Sequence, residues 1–119
     1  LAAPDRPVVA VVGDGSAAWS IQSLWTAAHY NIPVTYVICA NASYSQVKIM
    51  KMRLMGEKAK GRDLGTNLDQ PRIDFRQLAQ AMGVHGQKVE RPEELREVLK
   101  SALESDKPVL VEVYIENAI

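Results

Sequence analysis

At 119 residues the chain has room for one domain and not for two. Its 47% hydrophobic and 24% charged residues are those of an ordinary soluble globular chain, and 14 Lys+Arg against 14 Asp+Glu leave no basic excess to draw in nucleic acid or anionic lipid. No apolar run approaches the roughly 20 residues of a membrane span and no leader peptide is visible, while the single cysteine, Cys39, fits a reducing cytoplasm.

In chain order, Val-Val-Ala-Val-Val (8–12) is an apolar run without alternation, the pattern of a strand covered on both faces. The turn Gly13-Asp14-Gly15-Ser16 follows, and then Ile21, Leu24, Trp25 and Ala28 fall on one stripe of an amphipathic helix. Asn31 can close that helix in a left-handed conformation and Pro33 prevents its continuation. VTYVICA (34–40) reads as a second buried strand, NASYS (41–45) as a turn, and about Tyr44 to Met55 as a helix. With three glycines, a proline and no periodicity, residues 56–72 read as a long loop. Asp74 then caps a helix bearing Phe75, Leu78, Ala79 and Met82, stopped by Gly83. A short strand at His85–Val89 and a helix opened by Pro92, with Leu95, Val98, Leu99, Ala102 and Leu103, lead to the last strand, PVLVEVYI (108–115). Strands alternating with helices imply parallel pairing through right-handed crossovers, hence an α/β fold with a parallel sheet flanked by helices on both faces.

In such sheets ligands bind beyond the carboxyl ends of the strands. Two of those ends carry polar residues here, Gly13-Asp14-Gly15-Ser16 and Asn41-Ala42-Ser43-Tyr44. If the two strands are neighbours, Asp14 and the amide oxygen of Asn41 face one point. A carboxylate, an amide oxygen and a backbone carbonyl suit a hard cation such as Mg²⁺, which keeps company with phosphates. Glycines let backbone N–H groups approach a phosphate closely, and the start of the next helix adds a favourable dipole. Taken singly, each element has a plainer reading: GDG is frequent as a turn, and Asn41 is a common turn former.

GDG followed by 25 residues and then Asn41 resembles the thiamine diphosphate motif of the decarboxylase and acetolactate synthase superfamily. GDGSAAWSIQSLWTAAHYNIPVTYVI, IDFRQLAQAMGV and KPVLVEVYI extend the likeness over nearly the whole chain, nearest to the benzoylformate decarboxylases. The resemblance implies the C-terminal, cofactor-binding domain of a larger enzyme. Asp14, Asn41 and the Ser43 carbonyl would be ligands of Mg²⁺. Gly13, Gly15 and Ser16 would contact the cofactor diphosphate, with Tyr44 beside it. Ile49 and Met50 become candidate substrate contacts. Ala40 replaces the first of two Asn common in the family, and Ala42 replaces a common Gly, which implies strain if that turn needs a positive φ.

In enzymes of this resemblance the cofactor's C2 carbanion attacks the carbonyl of a 2-keto acid and CO₂ is lost. The activating glutamate belongs to a pyrimidine-binding domain, usually supplied by a partner subunit of a homodimer or homotetramer. No segment here resembles that domain, and the chain does not begin with Met. Residues 1–119 are therefore expected to be a single partial domain, truncated at its N-terminus, with no catalytic residue of its own. The enzyme class is a 2-keto acid decarboxylase or, alternatively, an acetolactate synthase-like carboligase. A non-catalytic docking module with a vestigial site is the reading from another class. His29, His85 and Cys39 have bland structural readings, the Met50, Met52 and Met55 series reads as helix packing, and the basic run Lys48, Lys51, Arg53, Lys58, Lys60 and Arg62 reads as a solvated helix face and loop.

Overall fold

Three apolar, β-branched segments and the more polar His85–Val89 become the strands β1 (Val8–Gly13), β2 (Val34–Ala40), β3 (His85–Val89) and β4 (Val109–Tyr114) in the computed structural model, which describes residues 6–59, 61 and 65–117. They form one parallel sheet in the order β1-β2-β4-β3. Parallel strands need crossovers, and the helices that supply them cover both faces. On one face lie α2 (Ser23–His29) and α4 (Phe75–Ala81), packing Leu24, Phe75 and Ala79 onto Ile38, Val84 and Leu110. On the other lies α5 (Pro92–Leu103), whose Ala102 packs with Val89, Val109 and Val111, and whose Ala102 carbonyl accepts the Thr35 hydroxyl at 3.2 Å. Leu24, Phe75 and Leu110 are wholly enclosed, each contributing about 1.5–3 kcal/mol of burial. The two-faced α/β fold expected from the pattern is the one observed.

The local stop and start signals act as read. The Asp74 carboxylate accepts the Gln77 N–H at 2.8 Å and caps α4, Asn31 takes a left-handed φ of 50°, Gly83 takes 80° after α4, and Pro92 opens α5. Elsewhere the structure departs from the sequence reading. Val8, Val9 and Val11 are 50%, 45% and 68% exposed, so β1 is not covered on both faces. The strand is at the sheet edge, and Val9 and Val11, in register with Thr35 and Val37, face the side where α5 lies chiefly over β4, β3 and β2.

The first helix is also broken. A single turn, α1 (Asp14–Ala17), precedes α2, and Trp25 is 56% exposed, stacked on the His29 ring at 4.8 Å rather than packed in the core. Leu24 and Ala27 are buried and Ile21 and Ala28 pack against the core, so of the expected stripe only Trp25 turns outward. The methionine helix, α3 (Ser45–Met55), buries none of its residues, so Met50, Met52 and Met55, read as helix packing, stand exposed. Its apolar residues fall on all sides rather than in a stripe, so no single face of it can dock on the sheet.

The stretch read as a long loop is partly tethered. Gly56–Ala59 forms a 3₁₀ turn, and residues 66–72 run back beside the Asn41–Tyr44 turn, with bridges at Ser43–Asn67 and Asp69–Arg72. Lys60 and Arg62 of the basic run lie outside the described residues. Among the described residues no helix is long and apolar enough to cross a membrane.

Candidate functional site

β1 and β2 end side by side, with Gly13 opposite Cys39. The two polar turns beyond them therefore meet. Asp14 is 4% exposed, and its carboxylate joins the turns: Oδ1 accepts the Gly15 N–H at 2.8 Å and Oδ2 accepts the Ala42 N–H at 2.6 Å. Asn41 shapes its own turn, its Oδ1 accepting the Ser43 N–H at 3.0 Å and its Nδ2 donating to Ser45 Oγ at 2.8 Å. Ala42 does take a positive φ, 56°, so the strain expected at that position is present, at about 1–2 kcal/mol.

Segment 66–72 braces this turn from outside. The Tyr44 N–H donates to the Thr66 carbonyl at 2.9 Å, the Leu68 N–H to the Ala42 carbonyl at 2.8 Å, and Ser43 Oγ to the Thr66 carbonyl at 3.3 Å. Gly15 answers a steric need, because a Cβ there would lie 2.4 Å from Tyr44 Cε1. Gly13 answers none among the described residues. Its φ of −70° is open to any residue, and a Cβ would meet nothing within 4 Å.

Between the turns lies a cleft of about 290 Å³. Gly13, Asp14, Gly15, Ser16, Asn41, Ser43 and Tyr44, every residue named from the sequence for metal or cofactor, line it. Ile49 and Met50 do not; Met50, 64% exposed, sits with Val47 and Leu54 on an outer groove of α3. Cys39, read as core, is half-buried at the cleft wall, and Ser45, Gln46, Val47 and Ile115 line it as well. Gln46 and Val47 were within reach of sequence reasoning, since the first turn of a helix after a binding turn faces the same space. Ile115 was not, because its place depends on β4 lying beside β2, where the Ile115 N–H donates to the Ala40 carbonyl at 3.2 Å. His29 and His85 are exposed and line no part of the cleft.

The donor set is oxygen-rich and hard. Asp14 is a buried carboxylate with no ion-pair partner among the described residues, and burying such a charge is costly unless a cation or hydrogen bonds compensate it. Each carboxylate oxygen holds one N–H and keeps a free lone pair. With the Asn41 amide oxygen and the Ser43 carbonyl nearby, the chemistry suits Mg²⁺. No three His, Cys, Asp or Glu side chains gather among the described residues, so the set does not suit a soft-metal centre.

A second polar cluster lies on the α4 side of the sheet, away from the cleft. Glu112, wholly buried on β4, accepts the Arg76 N–H at 3.1 Å through Oε2, while Oε1 has no partner among the described residues. Burial pushes its carboxyl above the ordinary range, against the pull of the Arg76 N–H and the Lys88 and Arg72 charges. Lys88 donates to the Tyr114 hydroxyl at 3.1 Å and pairs with Asp74 at 3.0 Å, and the two partners hold its ammonium above the usual lysine value.

Against known proteins, residues 1–113 match the family described as "Thiamine pyrophosphate enzyme, C-terminal TPP binding domain". The chain is 39% identical over 113 residues to a benzoylformate decarboxylase of Pseudomonas aeruginosa, covering 95% of this chain and 20% of that protein. It is 34% identical over 117 residues to an acetolactate synthase large subunit of Parasynechococcus marenigrum, covering 98% of this chain and 18% of that one. Its structure superposes on a thiamine diphosphate-dependent 4-hydroxybenzoylformate decarboxylase of Rhodococcus jostii with a TM-score of 0.87 at 39% identity, over 97% of this chain and 21% of the other. The chain thus spans about a fifth of the length of the relatives it matches. A parallel sheet with its polar turns at the carboxyl ends, and a match that runs through 113 of 119 positions, make this chain a member of the thiamine pyrophosphate enzyme family, corresponding to the C-terminal TPP-binding domain.

Proposed function

We propose that the chain anchors the diphosphate end of thiamine diphosphate through Mg²⁺, as part of a 2-keto acid decarboxylase of the benzoylformate decarboxylase type. One observation carries the reading: the buried Asp14 carboxylate, without an ion-pair partner among the described residues, is brought to the Asn41 turn at 2.6 Å from the Ala42 nitrogen. Asp14, Asn41 and the Ser43 carbonyl would hold the metal. Gly13, Gly15 and Ser16 would admit the diphosphate, the space at Gly13 being room that none of the described residues uses. Tyr44, packed on Gly15, would close the side of the site.

When bound, thiamine diphosphate supplies a nucleophilic carbon and an electron sink for the loss of CO₂ from a 2-keto acid. The chain's own part is binding and orientation. The pyrimidine end would be activated by a glutamate from a pyrimidine-binding domain of a partner subunit, in a homodimer or homotetramer, and Ile49 and Met50 on α3 would meet substrate there. The acetolactate synthase relative, at 34% identity, supports carboligation as the second reading.

The test is calorimetric titration of the chain with Mg²⁺ and thiamine diphosphate, beside Asp14→Ala. Wild type is expected to bind with a metal-dependent heat, and Asp14→Ala to lose it while keeping its far-ultraviolet circular dichroism. Equal affinity in the two proteins would sink the metal assignment.

A further inference from the structure

We infer that Arg72 is a positioning residue for the Asp14–Asn41 site: its guanidinium, seated on the Tyr114 ring and bonded to the Ala40 carbonyl, fixes the turn that carries Asn41 and Ser43. The inference rests on the functional reading of that site given above. Arg72 lies outside both core clusters and is exposed overall, yet its Nη2 donates to the Ala40 carbonyl at 3.0 Å across 32 residues of sequence. The Ala40 carbonyl also accepts the Ile115 N–H at 3.2 Å, so the last peptide of β2 is gripped from both β4 and segment 66–72.

The grip falls where the chain needs it. Two residues later Ala42 is held at a φ of 56°, a conformation that alanine keeps only when its surroundings over-determine it. The bonds from Thr66 and Leu68 are neutral, whereas that from Arg72 is charge-assisted and roughly twice as strong. The guanidinium stands 4.1 Å above the Tyr114 ring, a cation–π contact that adds to the hydrogen bond. The ring is itself tied down, because its hydroxyl accepts from Lys88 and Lys88 pairs with Asp74, the cap of α4. A continuous support thus runs from the α4 cap through Lys88, Tyr114 and Arg72 to the peptide that precedes Asn41. Groups that orient a metal's ligands without touching the metal cost about 10–100-fold in affinity when removed.

The experiment compares Arg72→Met, Tyr114→Leu and Tyr114→Phe with the unsubstituted chain. It measures the Mg²⁺ dissociation constant at saturating thiamine diphosphate, amide exchange at Ala42 and Ser43, and exchange at Leu110 in the core. Arg72→Met is expected to weaken Mg²⁺ binding and to speed exchange at Ala42 and Ser43 by about tenfold each, with Leu110 unchanged. Tyr114→Leu, which removes the ring, should behave like Arg72→Met, and Tyr114→Phe, which keeps the ring but cuts its tie to Lys88, should fall between Arg72→Met and the unsubstituted chain. Arg72→Met values within about twofold of the unsubstituted chain would overturn the inference, as would an equal acceleration at Leu110, which marks general loosening. If the unsubstituted chain binds no Mg²⁺ with thiamine diphosphate, the functional reading falls, and exchange at Ala42 and Ser43 decides the role of Arg72 by itself.

Discussion

Gly15→Ala pits two opposing effects against each other at the centre of the site. Gly15 lies in α1 without a positive φ, so by backbone entropy alone alanine should stabilise the folded chain by about 0.5–1 kcal/mol. The new Cβ, however, would sit 2.4 Å from Tyr44 Cε1, 2.5 Å from Cδ1 and 3.3 Å from Cζ. Carbon contacts settle near 3.5–4.0 Å, so the ring must retreat by about 1 Å or more. Its backbone has little freedom to follow. The Tyr44 N–H is bonded to Thr66 and its carbonyl accepts the Lys48 N–H at 3.0 Å, so any part of the retreat that the side chain does not absorb drags on the Asn41–Tyr44 turn. Overpacking of this kind costs about 1–3 kcal/mol, and with the backbone so restrained we take the upper end, leaving a net loss of about 2 kcal/mol. For a chain of this length that is a fall in Tm of roughly 8 °C, read by thermal unfolding followed by circular dichroism. Adding Tyr44→Ala should recover most of it, because the obstructing ring is gone. A Tm for Gly15→Ala equal to or above that of the unsubstituted chain would refute the steric argument, since backbone entropy would then have prevailed.

Glu112→Gln should change the pH dependence of stability. The folded carboxyl lies above its ordinary value, so the stability linked to its protonation is full below about pH 4.5 and is lost as pH rises through the folded pKa. The amide keeps an oxygen for the Arg76 N–H and never ionises, so Glu112→Gln should gain on the unsubstituted chain across that window, by about 1.4 kcal/mol for each pH unit spanned. Parallel stability profiles in urea from pH 4.5 to pH 8 would refute the cause given. The chain alone should also release no CO₂ from benzoylformate or pyruvate with saturating Mg²⁺ and thiamine diphosphate. It would hold one end of the cofactor and leave the other without its activating carboxylate, forfeiting the several kcal/mol that orientation contributes. Turnover above the free-cofactor background would show that division of labour to be wrong.

What the sequence determined by itself is local or periodic. Asp74 and Pro92 start helices and Gly83 and Asn31 end them, because caps and fixed φ values act within one turn of chain. The alternation of apolar runs with helical stripes specified a parallel sheet, and a parallel sheet puts its polar turns at one end, which is why the pattern alone brings Asp14 to the Asn41 turn, a meeting that the Asp14–Ala42 bond makes across 28 residues. Strand order, by contrast, is a choice among long-range pairings that no short window encodes. Only the tertiary structure placed β1 at the sheet edge, leaving Val11 68% exposed although its sequence reads as core. Only it left α3 without a buried residue, since six apolar side chains make a helix greasy but do not say whether anything lies against it. The same holds for Tyr44 over Gly15 and for Arg72 beneath Ala40: both contacts join residues about 30 apart, and both were decided by which turns the sheet brought together, because side chains meet through space and not along the chain.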